Sequence, residues 1–108
     1  MACLKPVFIV LAMVCSVQAL ADSSSNRHFL TLGEGQKRWY YNGVFSSLAH
    51  VASTQYNKEK SNCVWEWYFK YPERRRKQLK KSFEMYPEGI PSSVILALLK
   101  RDCGVFGE

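Results

Sequence analysis

Apolar and polar positions recur at helical spacing along most of the chain. From Arg38 to Tyr56, the residues Tyr40, Tyr41, Val44, Phe45, Leu48, Val51, Ala52 and Tyr56 fall within one half of a helical wheel. Asn42, Gly43, Ser46, Ser47, His50, Ser53 and Thr54 take the other half, which is small and uncharged. This side suits water, and its Gly, Ser and Thr residues also suit close approach of another backbone. Pro72 fits the first turn of a further helix, Glu73 its positive end, and the pattern runs to about Tyr86. That helix has a narrow apolar stripe of Leu79, Phe83 and Tyr86. The last pattern runs from Ser92 to Cys103: Val94, Ile95, Leu98 and Leu99 share a face, and Leu96 and Ala97 extend the apolar surface around the other side. It reads as a central core helix, with Ser92 or Ser93 as N-cap and Gly104 free to take the left-handed position beyond its end. Lys100 and Arg101 suit its negative end, and Val105 and Phe106 are placed to pack back behind the glycine.

Between these segments lie less regular stretches. Asn57 to Asn62 is polar and reads as a connection. Cys63 then opens Val64-Trp65-Glu66-Trp67-Tyr68-Phe69-Lys70-Tyr71, where periodicity does not separate helix from strand. Its aromatic density serves either a small core or a binding surface, and core is the stronger expectation. Tyr86-Pro87-Glu88-Gly89-Ile90-Pro91 forms a stiff turn. Residues 22–36 begin Asp-Ser-Ser-Ser-Asn-Arg, contain Gly33 and Gly35, and read as a flexible arm that Phe29, Leu30 and Leu32 could dock in part.

The first 21 residues have a different character. A short basic start to Lys5, an apolar run from Val7 to Val14 and Ala19-Leu20-Ala21 before Asp22 read as a cleaved secretory signal. The apolar run is short for an uncleaved anchor. Cys3 and Cys15 would leave with the signal, and the mature chain would be periplasmic or secreted. Removing Lys5 from the 15 basic side chains leaves 14 against 9 acidic ones, a charge of +5. Two cysteines remain, Cys63 and Cys103. An even count in an exported chain favours a disulfide, which would stabilise so small a core by about 4 kcal/mol in the chain-entropy model. The expected fold is therefore an all-α, compact small bundle of about four helices braced by one disulfide, with a signal at 1–21, an arm at 22–36 and a helical domain at 37–108.

Candidate chemistry is sparse. His50 lies on the uncharged helix face and His28 in the arm, too far apart in the pattern for a metal set. No paired carboxylates and no Ser/His/Asp or Cys/His set can be placed by spacing, so neither an enzyme nor a cofactor is expected. The strongest feature is electrostatic: Arg74, Arg75, Arg76, Lys77, Lys80 and Lys81 put six basic side chains into eight positions. Together with Tyr86 and Glu88 of the following turn they form the candidate partner-binding surface. Charge reversal at Arg75 and Lys77 is expected to slow association.

The order of these motifs resembles a family. A helix with Tyr40-Tyr41-Asn42-Gly43-Val44, then Cys63, then a helix with Gln78 and Phe83-Glu84-Met85-Tyr86-Pro87-Glu88, then Val94-Ile95-Leu96-Ala97-Leu98-Leu99 into Cys103 is similar to the type VI secretion amidase immunity (Tai) and resistance-associated immunity proteins. The resemblance covers Arg38 to Cys103. It implies a compact helical periplasmic protein with an internal disulfide that occludes a toxin, often a cell-wall amidase, without catalysis. Asp102 stands where that family usually has proline, the stretch after Cys63 is unusually aromatic, and the helix after Pro72 unusually basic. The implied partner is a cognate effector toxin, with a homodimer as an open alternative. Nucleic acid and stable membrane insertion after signal cleavage are not expected. Two other readings are a general periplasmic chaperone-like stress protein, holding clients through aromatics such as Trp65 and Trp67, and a secreted cationic membrane-active protein.

Overall fold

A computed structural model describes residues 25–107 as five α-helices with no strand among them. The signal segment expected at 1–21 lies outside the described residues. The helices are α1 (Asn26–Leu30), α2 (Glu34–Gln55), α3 (Lys58–Phe69), α4 (Pro72–Met85) and α5 (Pro91–Cys103). No helix among them is long and apolar enough to cross a membrane.

Helix α2 spans 22 residues, and the two-residue connection Tyr56–Asn57 folds α3 back along it. Asn57 caps α3 by accepting from the Lys60 N–H at 2.8 Å, so the polar stretch 57–62, expected as a connection, is already helix. Ser61 Oγ donates to the Ala49 carbonyl at 2.7 Å across the hairpin. Further along, the Phe45 ring stacks on Tyr68 at 4.6 Å and on Trp67 at 5.5 Å. The ambiguous aromatic stretch is thus helical, and its spacing divides it. Val64, Trp67 and Tyr68, at i, i+3 and i+4, are buried, while Trp65 and Tyr71 stay 47% and 52% exposed.

Proline starts both later helices. Pro72 opens α4 as the sequence suggests. Pro91 opens α5 after Ile90, so neither Ser92 nor Ser93 is its N-cap; the preset φ of proline moves the helix start upstream. Gly104 closes α5 with φ 66°, its N–H donating to the Lys100 carbonyl at 3.0 Å. Helix α5 is not a central helix. Pro91, Ile95, Leu99 and Cys103 are buried along one side, but Ala97 is exposed and Leu96 half-buried. The core lies where α2, α3, α4 and α5 meet, around Phe45, Val64, Tyr68, Leu79, Phe83, Ile95 and Leu99. Full burial of each such aliphatic or Phe side chain contributes about 2 kcal/mol.

Both tails of the described region are fastened. Cys63 and Cys103 form the disulfide, joining α3 to the end of α5. Val105 is fully buried, and Phe106 packs edge-on to Tyr56 while its N–H donates to the Tyr56 hydroxyl at 2.8 Å. The stretch expected as a flexible arm is instead ordered from Ser25. Ser25 caps α1, and α2 already begins at Glu34, where the Gln36 side chain accepts from the Gly33 N–H at 3.1 Å. Phe29 is buried against Tyr40, Tyr41 and Phe83 at 5.0–5.5 Å between ring centres. The Asn26 and Arg27 N–H groups donate to the carbonyls of Gly89 and Pro87 at 2.8 and 3.0 Å, and Asn26 Nδ2 donates to the Tyr86 carbonyl at 2.8 Å. The serines and glycines are real breakers, but one buried aromatic and this clasp overrule them.

Candidate functional site

The six basic residues of α4 do not share one face. Leu79 and Phe83 point to the core, and at helical spacing Arg75 and Arg76 flank them. Arg75 lies over the Trp67 indole, its Cζ 4.1 Å from the ring centre. Its Nε donates to the Trp67 carbonyl at 2.6 Å and its Nη1 to Gln78 Oε1 at 2.9 Å. Burial, with Arg74 adding to it, lowers the Arg75 pKa, but an arginine stays charged. Arg76 donates from Nη1 to the Tyr68 hydroxyl at 3.1 Å. Two of the six cations therefore hold α4 on α3.

The other four face water. Arg74, Lys77 and Lys81 follow one another at i, i+3 and i+7, and Lys80 stands beside them; all four are exposed. Arg74 rests on the Tyr71 ring, with Cζ 4.8 Å from its centre. Among the described residues none of the four pairs with a carboxylate; the ion pairs present are Arg27–Glu88, Lys37–Glu34 and Arg101–Asp102. Tyr86 and Glu88 sit past the end of α4 and serve the α1 clasp, Glu88 pairing with Arg27 at 2.9 Å and the Tyr86 carbonyl accepting from Asn26. The Tyr86 ring itself is exposed.

Sequence reasoning missed the residues of α2 that join this surface. Helix α2 is longer than α3, so its first two turns extend past the end of the hairpin and face the first turns of α4. Between them lies a cleft of about 370 Å³ lined by Leu30, Glu34, Lys37, Arg38 and Tyr41 on one side and Glu73, Arg76, Lys77 and Lys80 on the other. Glu34, Lys37, Arg38 and Tyr41 recur at i, i+3, i+4 and i+7, a signal hidden because Gly33 and Gly35 make the stretch before Lys37 read as an arm. The Lys37 side chain is only 14% exposed, with Glu34 Oε2 at 3.3 Å. Burial, and then the neighbouring Tyr68, Glu34 and Tyr40, raise the Tyr41 pKa against the opposing pull of Arg76, so its hydroxyl stays protonated and can donate.

No family model, curated protein or solved structure matches the chain. The site and the order of sequence motifs are what bear on function.

Two further features bear on that argument. At the disulfide, Trp67 Nε1 donates to Asp102 Oδ2 at 2.7 Å, and Arg101 Nε donates to Asp102 Oδ1 at 2.8 Å. The Arg101 hydrogen bond is the main cause holding the Asp102 carboxyl below its usual range, with Trp67 adding to it against the cost of burial. Trp67 is thus a buried strut and no client-holding aromatic. His50 is exposed on α2, and His28 on α1.

Proposed function

We propose that the chain is an exported, non-enzymatic immunity protein that binds a toxic effector, of the type VI cell-wall amidase kind, and occludes it in the periplasm. The observation that carries this reading is the exposed cationic set Arg74, Lys77, Lys80 and Lys81, unpaired with carboxylates among the described residues, on a helix locked to its neighbours by Arg75 and Arg76. Surface cations without partners add little to a fold, whereas on a rigid helix they steer an oppositely charged partner into one orientation. The motif order from Tyr40 to Cys103 supports the same reading by resemblance, and the disulfide suits an oxidising compartment.

Affinity capture tests it. The mature chain from Asp22, tagged and exposed to extract of its own organism, should retain at high salt one stoichiometric protein that is toxic in the periplasm and neutralised by this chain. A broad set of weak partners released by salt would overturn the reading. Because Arg75 is a strut, the electrostatic arm of the test belongs to Lys77 and Lys81. Their reversal should slow association at low salt without changing the melting temperature.

A further inference from the structure

The cleft between the first turns of α2 and α4 has more donors than the fold uses. Lys37, Arg38, Arg76, Lys77 and Lys80 bring cations from two helices, against the carboxylates of Glu34 and Glu73. Lys37 is largely buried, yet its only carboxylate among the described residues is Glu34 at 3.3 Å, whose own side chain is mostly in water. Arg76 uses Nη1 on Tyr68, leaving the rest of its guanidinium for a ligand. Tyr41 is buried at the base of the cleft and keeps its proton. Leu30 and the Tyr41 ring add apolar wall, and the volume falls within the range of ligand pockets.

We propose that this cleft receives an acidic segment of the protein partner, two or more Asp or Glu side chains spaced along one stretch of chain. The assignment rests on the reading of the molecule as a binding protein and names the part of the partner that enters it. The distribution of charge favours spaced carboxylates over a compact phosphate. The cations are spread along two helices and are interrupted by Glu34 and Glu73. A compact polyanion would meet both glutamates; a peptide can pass them with its carboxylates on the lysines and arginines and its stem on Leu30 and Tyr41. Carboxylates met by Arg and Lys in a partly desolvated cleft form charge-assisted hydrogen bonds, stronger than the same contacts on an open surface.

The test uses the mature chain with a fluorescein-labelled hexaglutamate peptide, read by anisotropy at 0.15 M salt, about physiological ionic strength. Saturable binding is expected. The pair Arg38→Gln with Lys80→Gln should raise Kd about tenfold, as loss of charge-assisted contacts predicts. Lys77→Gln, at an exposed position, serves as a second cleft variant in case the pair misfolds. Lys58→Gln with Lys100→Gln removes the same charge from exposed positions elsewhere and should change Kd less than about twofold, since distant charges are screened. Equal weakening by cleft and remote pairs, or no saturable binding, would overturn the proposal. So would displacement of the peptide by inorganic triphosphate more effectively than by sodium chloride of equal ionic strength, which would make the cleft a phosphate site. If the peptide fails while a single toxin is still captured at high salt, only the cleft assignment falls. If the peptide binds through the cleft but no toxin is captured, the immunity reading falls and the acidic-segment site stands.

Discussion

Two sides of α4 treat charge in opposite ways. On the side facing the disulfide, Asp102 is met by the Trp67 indole and Arg101, Arg75 by the Trp67 carbonyl, its ring and Gln78, and Lys60 Nζ donates to the Cys103 carbonyl at 3.0 Å. Asp102, Arg75 and Lys60 each close a contact between helices there. On the side facing α2, cations of the two helices face each other across an open cleft, and the cationic row of α4 continues into water. Neighbours in the sequence thus do different work: Arg75 and Arg76 hold the scaffold, while Arg74 and Lys77 are presented by it. The same residue types at adjacent positions separate into structural and exposed sets because one helical turn carries them to different faces.

The comparison can be broken most forcefully at the crosslink. Cys63→Ser with Cys103→Ser should cost about 4 kcal/mol, read as a fall in the urea midpoint with a steeper slope, since the uncrosslinked denatured chain is more expanded. A cost below about 1 kcal/mol would mean that packing of α5 alone secures that side. Next in size, Arg75→Ala should lose about 1–2 kcal/mol, from the charged hydrogen bond to the Trp67 carbonyl and the contact with its ring.

How far these roles are legible in the sequence depends on where the partner lies. The start of α4 at Pro72, the stop of α5 at Gly104 and the buried side of α2 all follow from signals within one or two turns, and the pairing of Cys63 with Cys103 follows from the cysteine count. The helical state of 64–69 does not, because Glu66 and Lys70 are too few to set a period among the aromatics. The inward turn of Arg75 is invisible for a different reason. Its partner is a backbone carbonyl and an indole on another helix, and a run of six cations beside a narrow apolar stripe looks the same whether or not two of them are buried. Phe29 is hidden in the same way, since Phe83 lies on α4 and the local composition around α1 is that of a loop. Within the candidate site, the charge run alone marks Lys77, Lys80 and Arg76, whereas Arg38, Lys37 and Tyr41 join it only through the overhang of α2 beyond α3.

A smaller test concerns pH. The Asp102 carboxyl is held below its unfolded value by Arg101 and Trp67, so its contribution is present above about pH 4 and is lost as the pH falls through the folded-state pKa. Asp102→Asn should cost about 1 kcal/mol at neutral pH and flatten the acid limb of the stability curve. An unchanged acid limb would place that dependence on other carboxylates. The smallest effect is expected at the cationic row. Lys77→Ala should shift stability by less than about 0.5 kcal/mol, and a loss matching that of Arg75→Ala would erase the distinction between scaffold and presented cations.

The clasp on α1 has a consequence for the order in which the molecule can be assembled. Synthesis runs from the N-terminus, so Asn26 emerges early, but the carbonyl that its side chain grips is 60 residues further on. The α2–α3 hairpin closes through a two-residue connection and can form as soon as Phe69 is available. Helix α1, only five residues long, has too few turns to persist alone and must wait for the Tyr86–Gly89 turn. The first helix of the described region is therefore placed late, and its docking reports that the chain has arrived as far as Gly89.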